Sequence, residues 1–331
     1  MKKVLLVGGC GFIGHNLAIY LKQLNYDVRI VDGLNVNNLF SFSNDENPLN
    51  KFYRSILNNR IQLINKHEIP MWTIDARDYY LISSVIDSFK PEVIIQLAAV
   101  SHANKSNKDP HSTFDHSLRT LENVLDASKK LKPHFIYFSS SMIYGNFNGR
   151  SVKEDDKSDP LGIYGSLKLS GELIVKAYNQ VFDMPFTIIR PSALYGERCV
   201  SRRVGQIFIE SALNNKEIII DGDGDEKLDF TYIKDLIQGF HKIITNPNSK
   251  NQIFNITYGN ARKINDLIKI LENHFDNLKV SYKKRDKLMP IRGTLSTLKA
   301  KKLINFNPIW PIEKGYVDYI KWYKKIYKSN K

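Results

Sequence analysis

Gly8-Gly9-Cys10-Gly11-Phe12-Ile13-Gly14 follows directly on the apolar run Val4-Leu5-Leu6-Val7 and leads into Ile13–Leu24, where apolar residues recur at helical spacing. Strand, glycine-rich turn and helix in that order make one βα unit. Glycine permits positive φ and close backbone approach, and the N–H groups opening a helix favour an anion such as a pyrophosphate. The stretch therefore predicts a phosphate-binding turn, with a merely tight βα turn as the other reading. Asp32 favours the first. It closes the run Asp27–Val31, eighteen positions after Gly14, where a carboxylate accepts from a ribose 2′-hydroxyl. Such a carboxylate repels a 2′-phosphate, so NAD is expected in preference to NADP. A turn or cap role for Asp32 stays open.

Outward from this unit, short runs rich in β-branched residues (Ile61–Ile64, Val93–Gln96, His134–Ser139, Phe186–Arg190) alternate with the amphipathic segments Tyr79–Phe89, Phe114–Leu131 and Tyr164–Val181. That alternation predicts an α/β fold with a doubly wound parallel sheet. Residues 35–60 are Asn-rich and irregular, and read as a long surface excursion beside the cofactor site. Beyond about residue 190 the pattern loosens into Arg-rich, Gly/Asp-rich and Lys-rich stretches before an aromatic helix, roughly Glu313–Tyr327. The expected division is a dinucleotide-binding domain over 1–190 and a smaller, mainly substrate-binding region over 191–331, with some crossings back.

The chain has 331 residues, 42% of them hydrophobic, enough for a substantial core. Lys and Arg number 48 against 34 Asp and Glu, a net charge of +14, which suits an anionic partner; a Lys-rich solvated surface is the favoured reading. The basic clusters Lys283–Arg285 and Lys299–Lys302 are short and not interleaved with aromatics, so no nucleic acid is expected. Cys10 and Cys199 are too few for a disulfide scaffold and lack metal-ligand spacing, so a reducing, cytoplasmic location is expected. No apolar run reaches membrane-spanning length, and no membrane partner is expected. Asp221-Gly222-Asp223-Gly224-Asp225 looks like a calcium loop, but Glu226 stands where its glycine and Tyr232 where its bidentate Glu belongs; no metal is expected.

Tyr164-Gly165-Ser166-Leu167-Lys168 puts a phenol and an ammonium four apart at the start of a helix, on one face. A nearby cation stabilises a phenolate, which suits a group that moves a proton. Ser139-Ser140-Ser141-Met142-Ile143-Tyr144-Gly145 follows a strand and offers a hydroxyl to the same centre. Together with Gly8/Gly11/Gly14 and Arg190-Pro191-Ser192-Ala193-Leu194-Tyr195-Gly196, these residues resemble the extended short-chain dehydrogenase/reductase family, in its group of NAD-dependent nucleotide-sugar epimerases and dehydratases similar to UDP-glucose 4-epimerase. The likeness runs from Val4 to Trp322-Tyr323. It implies a Rossmann fold, Tyr164 as acid/base, Lys168 on the nicotinamide ribose, and Ser140 on the reacting hydroxyl. It further implies cofactor contacts at Gly8, Gly11, Phe12, Ile13, Gly14, Asp32, Asn35, Asp75, Ala76, Leu97, Ala98, Ala99, Ser139 and Pro191, Asp75 being the adenine contact.

Within that resemblance, dehydratases carry an Asp-Glu pair where this chain has Ser141 and Met142, and decarboxylases a Glu at Met142. Neither residue here exchanges a proton at neutral pH, so a 4,6-dehydratase is disfavoured. C4 epimerisation of a nucleoside-diphosphate sugar through a transient keto sugar fits NAD best; an NAD(P)-dependent keto-sugar reductase is the alternative, and a non-catalytic NAD-sensing or RNA-binding protein a remoter one. The family Arg before Asp-Phe is missing in Lys227-Leu228-Asp229-Phe230. Arg198, Arg202, Arg203 and Arg292 are candidates by charge for its phosphate contact, with Ser101, Ser140, Ser141 and Ser192 as further substrate contacts. Ala193 and His116 replace usual asparagines, and His102 resembles the dehydratases' loop. A homodimer through Phe114–Leu131 and Tyr164–Val181 is expected by analogy.

Overall fold

The computed structural model describes residues 1–44, 48–101, 103–147 and 149–329; His102 lies outside them. Runs of β-branched and aromatic residues form seven parallel strands: β1 Lys3–Val7, β2 Asp27–Val31, β3 Met71–Trp72, β4 Val93–Gln96, β5 His134–Phe138, β6 Phe186–Arg190 and β7 Gln252–Asn255. Their order is β7-β6-β5-β4-β1-β2-β3. Every residue of β4, β5 and β6 is buried, as expected for strands covered by helices on both faces.

On one face, α1 (Phe12–Gln23) contributes Leu17, Ala18 and Leu21 to a core that continues into the C-terminal half of the chain. On the other, α3 (Tyr79–Phe89) packs Ile82, Val85, Ile86 and Phe89 beside Leu121, Val124 and Leu125 of α4 (Thr120–Ser128) and Val175 of α5 (Gly162–Phe182). This is the doubly wound sheet. Its order reverses between β1 and β4, and a ligand crevice opens beyond the carboxyl ends of strands at such a switch point.

Two expectations fail in one segment. Ile61–Ile64 is not a strand but lies in the helix α2 (Pro48–Lys66), and that helix also takes up residues 48–60 of the stretch expected to be irregular; a short helical turn at Leu39–Phe42, capped by the Asn38 side chain, precedes it. Tyr53, Ile56, Leu57, Arg60 and Ile64 are buried, the i, i+3, i+4, i+7, i+11 spacing of one helical face. Asparagines hid that face, and β-branching at Ile61 and Ile64 imitated a strand. The strand beside β2 is Met71–Trp72 instead. Within Phe114–Leu131, a π-helical segment, Asp115–Arg119, precedes α4, a local widening that often marks function.

After residue 190 the chain returns to the main sheet as β7 beside β6. Smaller pairings join Ile218–Asp221 to Val280–Lys283, Lys227–Leu228 to Arg262–Lys263 and Leu194–Tyr195 to Thr231–Tyr232. The C-terminal helix α6 (Ile312–Ser329) buries Tyr316, Tyr319 and Tyr323 against this region. No helix among the described residues is long and apolar enough to cross a membrane.

Candidate active site

One cavity of about 530 Å³ opens across the carboxyl ends of the strands at the switch point. The glycine turn forms its floor. Gly8 has φ +84°, and a Cβ there would sit 2.6 Å from the Ala98 nitrogen, so only glycine lets the turn lie on the β4 loop. At Gly14 a Cβ would meet the Gly9 Cα at 2.5 Å, which brings α1 down tightly on the turn. Gly11 caps α1, and Phe12, Ile13 and Gly14 follow it along the cavity wall.

Asp32 accepts from the Cys10 N–H at Oδ2 and the Leu34 N–H at Oδ1, each 2.8 Å. Burial raises its pKa and these bonds hold it partly down. Asn38 adds a side-chain bond to the same carboxylate. Arg60, unforeseen in the sequence, is buried beneath the turn and donates to the main-chain oxygens of Arg198 and Cys10. At the adenosine end, Asp75 is held by the Arg77 Nη2 at 2.7 Å and the Asn35 Nδ2 at 3.3 Å. Its burial opposes ionisation, but the bonds and charge of Arg77 outweigh it and lower the pKa. Ala76, Leu97, Ala98 and Ala99 complete this wall, and His116 faces it from the π-helical segment.

The reacting end is built by α5 and the loop after β5. Tyr164 and Lys168 lie one turn apart on α5 and both line the cavity. The Lys168 ammonium is buried, donates to the Phe138 carbonyl at 2.7 Å and lies 5.2 Å from the centre of the Tyr137 ring. Burial lowers its pKa to about 8, with Glu172 opposing. Ser140 accepts from the Met142 N–H at 3.2 Å and so keeps its own O–H for another acceptor. The Ser139 hydroxyl instead donates to Glu172 at 2.5 Å, and its N–H to the Ile189 carbonyl at 2.8 Å.

Ser101, Ser141, Pro191, Ser192, Arg202, Arg203 and Arg292 line the same cavity. Ser101 accepts from Asn37 at Oγ and from the Arg203 Nη2 at its carbonyl, 3.0 and 3.2 Å. Arg198 is the candidate the fold does not bring in. Its Nε donates to the Nε2 of buried His15 at 3.0 Å, and it lines a separate cavity behind α1 with His67 and Trp310. In its stead Arg285 faces the main cavity, beside Glu226 with Nη1 3.5 Å from Oε1. In the sequence Arg285 looked like part of a short surface cluster; the pairing of Val280–Lys283 with Ile218–Asp221 carries it inward.

Residues 4–257 match the model of the NAD dependent epimerase/dehydratase family. The chain belongs to this family. It is similar to a putative UDP-glucose 4-epimerase of Methanocaldococcus jannaschii, 32% identical over 276 residues that cover 82% of this chain and 81% of the relative. It is 25% identical to UDP-glucuronate 4-epimerase 4 of Arabidopsis thaliana over 351 residues, 99% of this chain and 76% of the relative. The crystal structure of UDP-glucuronic acid 4-epimerase from Bacillus cereus, in complex with UDP-glucuronic acid and NAD, superposes with a TM-score of 0.87 at 26% identity, covering 99% of this chain and 100% of that one. The chain is thus an NAD-dependent family member. The side-chain-free Gly8 cradle and the Asp32 carboxylate in one cavity fit the cofactor.

Proposed function

We propose that this protein inverts C4 of a nucleoside-diphosphate sugar through a transient 4-keto sugar, with Tyr164 as acid/base. The observation that carries the reading is that Tyr164, Lys168 and Ser140 share one cavity with the glycine turn and Asp32, while Ser141 and Met142 stand where dehydration needs acids. Asp32 and the glycine turn would hold the two ends of NAD's adenosine diphosphate, and Lys168 its nicotinamide ribose. NAD when bound supplies a reversible acceptor for the C4 hydrogen and its electron pair.

The protein's own residues handle the proton. The Tyr164 oxygen takes it from the C4 hydroxyl as the C–O bond becomes a carbonyl, and gives it back when the opposite face of the turned keto sugar is reduced. The Ser140 hydroxyl, whose oxygen already accepts from the Met142 N–H, donates its own proton to the C4 oxygen in both directions. Lys168 stabilises the deprotonated phenol. Sharing of one proton among positioned groups contributes roughly 10²–10⁴-fold to a rate.

The relatives support UDP as the nucleotide. Residues 1–190 would serve the cofactor and 191–331 mainly the sugar nucleotide, with Arg202, Arg203 and Arg285 as cations for it. A homodimer is supported by apolar side chains exposed on α5, Leu173 and Val181, and a cytoplasmic location by two cysteines that are both unpaired. The test is incubation with a panel of UDP-sugars and no added cofactor, resolving C4 epimers. Inversion of one member is expected, and Tyr164→Phe should abolish most of it while NAD still binds. Net consumption of NADH with a keto sugar, and no inversion, would make it a reductase.

A further inference from the structure

We infer that the sugar is an acid, a hexuronate whose C5 carboxylate is gripped by Arg292 with Arg203 beside it. This rests on the epimerase reading and narrows its substrate. Arg292 is enclosed in the cavity wall, yet everything it touches is neutral. Its Nη2 donates to the Ser192 Oγ at 2.9 Å, its Nη1 lies 3.4 Å from the Met142 sulfur, a weak acceptor, and its buried Nε has no partner.

Arg203 is similar: its Nη2 donates to the Ser101 carbonyl. Among the described residues no carboxylate lies within ion-pair distance of either guanidinium. The buried Asp229, whose charge acts on Arg292 from beyond ion-pair distance, is occupied by the N–H groups of Gly259 and Leu295, each at 3.0 Å. The two guanidiniums also repel one another, and burial with that repulsion brings the Arg292 pKa down to about 10. An enclosed cation without an anion is costly, and two together more so. A ligand carboxylate removes the cost, since a planar guanidinium fork matches a carboxylate at two points.

Position separates this anion from the diphosphate. Arg292 touches Met142, two residues after Ser140, and Ser192, two after Arg190 at the end of β6, so it stands at the reacting end. A side chain at 142 that drives 4,6-elimination must reach the C5–C6 side of the sugar, which places Arg292 at the substituent on C5. Arg285 pairs instead with Glu226, just beyond the strand Val280–Lys283 that joins Ile218–Asp221.

The experiment compares UDP-glucuronate, UDP-glucose and UDP-N-acetylglucosamine as substrates of the NAD-loaded enzyme. The expected result is a kcat/KM for UDP-glucuronate roughly a hundredfold above that for UDP-glucose, the scale of charge-assisted bonds. In Arg292→Gln that preference should shrink at least tenfold, with Arg292→Lys between. Should those variants not fold, calorimetry on Tyr164→Phe must show UDP-glucuronate binding more tightly than UDP-glucose. Equal or better inversion of a neutral sugar overturns the inference and leaves the epimerase reading standing; inversion of no UDP-sugar overturns both.

Discussion

Glu172 and Arg190 form a two-point ion pair, Nε to Oε1 at 2.9 Å and Nη2 to Oε2 at 2.7 Å, with side chains 0% and 4% exposed. The pair ties α5, which carries Tyr164 and Lys168, to the end of β6. It also holds Ser139 through Glu172 and Tyr144 through the Arg190 Nη1 at 2.8 Å. Tyr164, Lys168 and Ser140 are thereby positioned against one another by a charge pair that hydrogen-bonds to none of them. Glu172→Gln strands the arginine's charge in the interior. The expected loss is about 3 kcal/mol, the lower end for a broken buried pair, read as a fall in the urea midpoint together with slower turnover. An unchanged midpoint would show that the pair holds nothing in place.

Lys168 should set the alkaline limit of activity. Its folded-state pKa is depressed to about 8 by burial, so kcat/KM is expected to fall as pH rises through that value. The sign for stability is the reverse. The unfolded chain keeps this proton up to the ordinary lysine range, so the buried ammonium costs stability below about pH 8 and the cost is relieved above it. Lys168→Arg keeps its charge at every accessible pH and should lose the alkaline limb. A wild-type pH–rate profile flat to pH 10 would exclude Lys168 as the titrating group.

His134 should make the fold sensitive to acid. It is buried at the start of β5, its Nε2 is 2.7 Å from the Thr187 Oγ1, and burial lowers its pKa to about 4. The unfolded chain therefore binds a proton that the folded one refuses between about pH 6.5 and 4. This contribution is present at neutral pH and lost as pH falls through that window, about 2 kcal/mol between pH 7 and 5. Urea unfolding of His134→Gln at the two pH values should show a drop smaller by that amount; an identical drop would assign the acid lability to other groups.

What could be read directly were features whose chemistry is local. Gly8, Gly11 and Gly14 are legible because no other residue allows that turn, and Tyr164 with Lys168 because four residues of helix bring them to one face. Their neighbours came with the same motifs. Arg198, Arg285 and Arg60 were not legible, because a guanidinium's surroundings depend on which distant segment meets it. Arg198 is turned away by His15, an i+4 partner of the Gly11 carbonyl at 2.8 Å. Arg285 enters only through a strand pairing made some sixty residues away in the chain, and Arg60 only once Pro48–Lys66 is seen as a helix with a buried stripe. Ile61–Ile64 misled for the same reason: short apolar runs carry too few residues to separate a period of two from one of 3.6.

In the epimerisation proposed, the hydrogen on C4 leaves and returns within one cavity while Tyr164 handles only the hydroxyl proton. Its most direct test uses the UDP-sugar that turns over, deuterated at C4, in ordinary water with no cofactor added. The C4 epimer should retain essentially all the deuterium at C4, and Tyr164→Phe should slow its appearance by several powers of ten. Washout of the label into solvent, or an epimer formed equally fast by Tyr164→Phe, would contradict it.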